Sequence, residues 1–447
     1  MHRRNIRINR AVLLIIGLAP LLLYGALGAT IGRRDPILDK RDPVRPDPGF
    51  AYLYTAAHRY EPAAWMDGHD RFPLGAKLIA VQHGMVRLVA PGFYASADGA
   101  VSYDGHRALF SGKRTVTDRW QIWEANLEGG EPRQITRCPS DCVRALYLPD
   151  GEIVYSRGDA LEITGKTGRI TFAPGRYLTD EVLRDGRILF EVERGFYSRE
   201  LFTVYPDGTG VESLRCDHGP DRGSARQLAS GDYIFISGNR LARITSPLAH
   251  QTDVAQPDKE PAGPIAEVSP GVWLVSLRGK NHSIGLYRWD VATGQTAPLE
   301  TPLEGAAVEP ALLAARTPPR EFPSARIPAR TTGNLLCLNS RESRTPMNGA
   351  GVQSVKVYTL SGLLGQTAVE PDGSFYIQVP PDRPIRMELV DAAGRIVRGE
   401  HDWFWMRPAE QRICVGCHMG PERAPENKVP QILLKTIVPV KMLEVQP

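Results

Sequence analysis

Near the C-terminal end the chain reads Cys414-Val415-Gly416-Cys417-His418, and Cys-x-x-Cys-His is the attachment pattern of c-type haem. The spacing has a physical basis. Residues i, i+3 and i+4 share one face of a helical turn, so Cys414 and Cys417 present thiols for thioether bonds to the haem vinyl groups. The His418 imidazole then reaches iron as axial ligand and as the metal ligand of the site. The pattern predicts one covalent haem c. A structural zinc site takes a second Cys or His pair nearby, and the residues after His418 contain neither, which excludes a local zinc ribbon; zinc held through distant ligands stays open. A thioredoxin-type Cys-x-x-Cys opens a helix in a βαβ unit, whereas this motif follows Trp403-Phe404-Trp405-Met406-Arg407-Pro408 and precedes a Pro-rich tail.

The second iron ligand separates an electron carrier from a catalyst, since Met or His in that position gives low-spin haem and Met raises the potential. Met406 and His401 are the candidates; Met406 alternatively packs with its aromatic neighbours. Trp403, Phe404 and Trp405 read either as one wall of the haem pocket or as core. Arg407 or Arg412 would pair with haem propionates, or else lie solvated. Glu400 beside His401 reads as structural. His58, His69, His83 and His106 crowd the first quarter and suit a metal on a domain face less well than they suit ordinary surface. Cys138 and Cys142, four apart, either pair as a disulfide or lend thiolates to a metal near the haem, and Cys216 and Cys337 complete the six cysteines. No Gly-x-Ser-x-Gly elbow, His-Glu-x-x-His or Walker loop occurs.

These residues need positioning elements and a compartment. Arg3, Arg4, Arg7 and Arg10 precede an uncharged apolar run over residues 11–28, a basic n-region and core that read as signal peptide or membrane anchor. Ala26-Leu27-Gly28 is a small-x-small cleavage site. Either reading exports the body to the periplasmic side, where disulfides persist, and any membrane contact runs through an uncleaved anchor. A net charge of +4 without a basic block implies no nucleic acid.

The middle of the chain repeats. Leu148-Pro149-Asp150-Gly151-Glu152-Ile153-Val154 and Leu183-Arg184-Asp185-Gly186-Arg187-Ile188-Leu189 are the strongest copies, with weaker ones turning at Gly105, Gly231 and Gly271. Each is a tight turn feeding a β-branched or aromatic strand. The turn glycines stand 46, 35, 45 and 40 residues apart, the period of a propeller blade. The expectation is an all-β chain: a six-bladed β-propeller, with seven blades as the alternative, over residues 50–318. A signal or anchor occupies 1–28 and a linker 29–49. A Pro-rich linker spans 319–332, and a small β-sandwich-like module over 333–447 carries the haem motif.

Together these parts resemble the hydrazine synthase alpha-subunit family. The resemblance rests on Glu370-Pro371-Asp372-Gly373-Ser374-Phe375, Pro380-Pro381-Asp382-Arg383-Pro384-Ile385-Arg386, the Trp403–Pro408 segment quoted above, the haem motif and the trailing Ala424-Pro425-Glu426-Asn427-Lys428-Val429-Pro430. The repeats alone would fit any TolB-like propeller. The resemblance implies an exported propeller joined to a domain with one c-type haem on Cys414, Cys417 and His418. In that family a tyrosine shortly after the motif approaches iron, and residues 419–423 contain none; 29 residues follow His418 without a second motif. The sequence therefore points to an exported monohaem c-type cytochrome that docks a redox partner through its propeller. A haem enzyme acting on a small nitrogen or oxygen species, and a propeller binding module with structural haem, are the alternatives.

Overall fold

The structure is a computed structural model that describes residues 49–442, apart from 166, 194–197, 216–220, 247–248, 258, 281, 300, 302–304, 344–345 and 417–427. The segment over residues 1–48 that reads as signal or anchor lies outside the described residues. Among these, helix is confined to Gln431–Lys435 and a 3-10 turn at Gly349–Gly351, and no helix is long and apolar enough to cross a membrane.

Four antiparallel sheets of four strands follow one another along the chain: Ala95–Val101 to Arg133–Gln134, Val143–Tyr147 to Gly168–Arg169, Tyr177–Val182 to Glu212–Ser213, and Arg222–Gln227 to Thr252–Asp253. A fifth blade runs from Ala266–Ser269 to Thr296–Leu299. The sixth is built from both ends of the propeller. Its inner strand Ala306–Leu312 pairs antiparallel with Tyr52–Ala57, which continues to Lys77–Gln82 and Met85–Leu88. The ring has six blades, closed by hydrogen bonds between strands from opposite ends of the propeller. Alternation puts apolar side chains between blades. Leu53, Leu78, Phe93 and Phe110 share one such layer, and Trp273, Trp289 and Ile234 another.

The Asp-Gly repeats form the turns between the first and second strands of their blades. Gly151 and Gly186 both take φ of 87°, a region open to glycine and costly for residues with a Cβ. At Gly186 a Cβ would also strike the Arg320 carbonyl at 2.5 Å.

A two-sheet sandwich follows. Gln411–Cys414, Gly333–Cys337, Phe375–Val379 and Val440–Lys441 form one sheet, and Gly362–Ala368, Ser354–Thr359, Arg386–Val390 and Ile396–Gly399 the other. Leu335, Ile377 and Val379 from the first meet Val355, Val357 and Leu389 from the second in a closed core. Between propeller and sandwich, residues 313–332 contain no strand, yet they are fastened. Phe322 stacks on Tyr205 at 3.8 Å, Ser324 Oγ donates to Asp207 Oδ2 at 2.7 Å, and the Ile327 N–H donates to the Pro408 carbonyl at 3.3 Å.

Candidate haem-attachment site

Cys414 ends the edge strand Gln411–Cys414, which pairs in parallel with Gly333–Cys337 so that Cys414 stands level with Cys337. Cys414 itself is therefore extended rather than helical, contrary to the turn expected there. The ladder explains the difference, because the Cys414 carbonyl accepts the Leu338 N–H at 2.8 Å and the Glu410 carbonyl accepts the Asn334 N–H at 2.8 Å. Cys417 and His418 lie outside the described residues. Cys414 and Cys337 both line a small cleft with Phe375, Met387 and Leu389 on its apolar side and Ser340, Arg398 and Glu400 at its polar edge. A hydrogen bond shared with the Cys337 thiol holds Cys414 below its ordinary value against the burial that would raise it, and a lowered value favours the reactive thiolate.

The segment before the motif is a domain clamp. Trp405 is 2% exposed, packs with Ile170, Tyr177 and Val211 of the propeller, and donates Nε1–H to the Gly208 carbonyl at 2.9 Å. Arg407 sits on the Phe172 ring at 4.5 Å, donates from Nε to the Asp207 carbonyl at 3.1 Å and pairs through Nη1 with Asp382 at 2.8 Å. Arg412 donates from Nη2 to the Val211 carbonyl at 2.6 Å. The Glu410 carboxylate accepts the Gly210 N–H at 3.0 Å. Trp405, Arg407 and Arg412 are thus engaged with the propeller, where the sequence offered a pocket wall and propionate partners. Trp403 and Phe404 flank the same interdomain layer.

Met406 points the other way. It is fully buried in the sandwich core, so close to Gly333 that a Cβ there would meet Met406 Cβ at 2.7 Å. Gly333 and Cys337 occupy opposite ends of one strand, about 13 Å apart at the rise of an extended chain. Met406 therefore packs far along the sheet from the Cys414 thiol. His401 is exposed.

The remaining candidates separate cleanly. His58, His69, His83 and His106 are exposed and scattered, and no cluster of three or more His, Cys, Asp or Glu able to hold a metal occurs among the described residues. Cys138 and Cys142 are bonded to each other, which removes both as thiolate ligands. Cys216 lies outside the described residues.

A second polar centre went unread in the sequence. The inner strands of four blades break register near Asp98, Arg144, Ser224 and Glu309, and these four residues take positive φ of 54° to 61°. A bulge re-aims the side chain at its kink. The result is a buried charge chain around the propeller axis: Arg71 bonds Asp98 at 2.6 Å and Glu309 at 2.7 Å, Tyr60 donates to Glu309 at 2.9 Å, and Arg144 lies 3.6 Å from Asp180 and 3.5 Å from Glu309. Burial pushes Asp98 up to about 6. Glu309, against the same burial, is drawn well below the carboxylate range by Arg144 and Arg71. One face of this chain borders a cavity of about 740 Å³, which residues 314–320 also line. The available signal was a charged residue at an inward position of a predicted strand, which a single copy does not make legible.

Residues 329–419 match the hydrazine synthase alpha subunit middle domain. Hydrazine synthase subunit alpha of Kuenenia stuttgartiensis is 39% identical over 62 residues. The solved Kuenenia stuttgartiensis hydrazine synthase superposes with a TM-score of 0.73 at 16% identity, covering 88% of this chain and 72% of that one. Residues 329–419 thus form a hydrazine synthase alpha-like domain, and the chain shares the fold of that solved structure. The match to the curated alpha subunit covers 14% of this chain and 8% of that protein. The uncharacterized peptidase YuxL of Bacillus subtilis (strain 168) is 27% identical over 149 residues, 32% of this chain and 22% of that protein. The chain thus matches much less than two thirds of either relative's sequence, and at 16% identity the solved structure speaks for the fold.

Proposed function

We propose that this chain is an exported monohaem c-type cytochrome, with haem c bound through Cys414 and Cys417, His418 on iron, and a redox partner docked on the propeller. The carrying observation is the Cys414 thiol at the end of an edge strand, facing an apolar cleft of Phe375, Met387 and Leu389. A macrocycle bonded there would meet apolar side chains on one side and keep an edge toward solvent, which suits electron transfer. The family is haem-associated, in keeping with this reading. When bound, haem supplies one-electron chemistry; the protein's part is to fix the macrocycle's edge and to couple the sandwich rigidly to the propeller through Trp405, Arg407 and Glu410.

A second reading is a haem enzyme acting on a small nitrogen or oxygen species at an open iron site, and the position of Met406 favours it. With Met406 fixed in the sandwich core, His401 or a small molecule would be left to complete the coordination of a bound haem. Optical spectroscopy of the ferrous protein, matured with the c-haem machinery, tests both. The cytochrome reading expects low-spin bands insensitive to carbon monoxide. A wild type that binds carbon monoxide at once supports the enzyme, and a protein carrying no covalent haem sinks both.

A further inference from the structure

Cys337 has no part in the haem motif, yet it is the residue nearest Cys414 across the sheet. The two stand level in a parallel pair, and registered neighbours project from the same face of a sheet. Adjacent strands lie about 4.8 Å apart, inside the roughly 4.4–6.8 Å Cα separation that a disulfide spans. Both cysteines are thiols in the structure, both line the same cleft, and Cys414 packs against the sandwich core to which Cys337 belongs. Cys337 is 3% exposed and Cys414 half-buried, so an oxidant reaches the pair from the Cys414 side.

We propose that Cys337 and Cys414 form a redox-active cross-strand pair whose disulfide withholds Cys414 from haem until a reductant opens it. On oxidation each thiol loses a proton, the Cys337 Sγ–Cys414 Sγ bond forms, and two electrons pass to a disulfide oxidant, which is reduced to two thiols. The depressed Cys414 thiol is the attacking member, since thiolate is the nucleophile in exchange. The pairing itself stands apart from haem; only its effect on attachment rests on the cytochrome reading. The arrangement would protect the first attachment thiol during export and make haem loading depend on a thiol reductant.

The test uses the full chain produced without haem-maturation machinery and treated with oxidised glutathione. Remaining thiols are alkylated and the protein is peptide-mapped without reduction. A linked peptide containing Cys337 and Cys414, lost on reduction, is the expected result, and Cys337→Ala should return Cys414 to the alkylated form. A Cys414–Cys417 link, or alkylated Cys414 beside an intact Cys138–Cys142 bond, overturns the pairing. In a second arm the oxidised protein is offered haem and the maturation machinery with and without a thiol reductant. Wild type should load only with reductant, whereas Cys337→Ala should no longer need opening of that bond. Equal loading of oxidised wild type without reductant overturns the gate. Failure of fully reduced wild type to acquire covalent haem overturns the cytochrome reading while leaving the mapped disulfide in place.

Discussion

Met406 carries the thioether that a c-type iron readily accepts, but its side chain fills the sandwich core against Gly333. Met406→Ala should therefore act on stability first. A buried methionine cut to alanine costs about 2–5 kcal/mol, so the denaturation midpoint should fall while the ferrous spectrum of the surviving folded protein stays unchanged. A switch to a carbon-monoxide-binding form at undiminished stability would make Met406 an iron ligand instead. Cys414→Ala with Cys417→Ala should abolish the haem that persists through denaturing electrophoresis, read by haem stain. The motif was legible because its residues lie within a short spacing in the chain. The Cys337 partnership was not, because parallel pairing joins residues far apart in sequence.

At the scale of elements, the bulged inner strands concentrate buried charge, and their pH response follows from the shifts. Burial raises Asp98 from its ordinary value to about 6, so between the two the folded state holds a proton there that the unfolded state has released. The stability drawn from that proton is present below about pH 4 and is lost as pH rises through about 6. Glu309 behaves oppositely: its folded value is depressed, and its contribution fades as pH falls below the ordinary glutamate range. Asp98→Asn should accordingly flatten the slope of stability between about pH 4 and 6, and Glu309→Gln should destabilise most near neutrality. Urea melts across that range decide it, and an unchanged slope in Asp98→Asn would place the titration elsewhere. Blade strands could be seen in the sequence wherever Asp-Gly preceded an alternating run. Strands such as Gly362–Ala368 and Ile396–Gly399 escaped, because exposed edge strands carry a weak apolar alternation.

For the whole molecule, the join between propeller and sandwich rests on Trp405, Arg407, Glu410 and the strapped segment 313–332. Removing a buried tryptophan costs about 3–5 kcal/mol, so Trp405→Ala should loosen the two parts without unfolding either. Limited proteolysis should then cut within residues 317–328 faster than in wild type; equal rates would show that the strap, through Phe322 and Ser324, holds the join unaided. The change of rhythm near Pro318 and Pro319 was visible along the chain as a cluster of prolines. The clamp was not, since aromatic residues beside a haem motif read equally well as pocket and as interface.

The sixth blade takes its inner strand from residues 306–312 and its outer three from the start of the propeller. Time enters through that geometry. Until Ala306–Leu312 has emerged, Tyr52–Ala57 waits with one edge of its backbone unpaired, and pairing strands so distant in sequence is slow because the intervening chain must first be gathered in. The sandwich strands follow directly in the chain. A chain of this design spends an interval with an open strand edge and uncapped thiols together, the interval in which chaperones and thiol chemistry have the most influence on its fate.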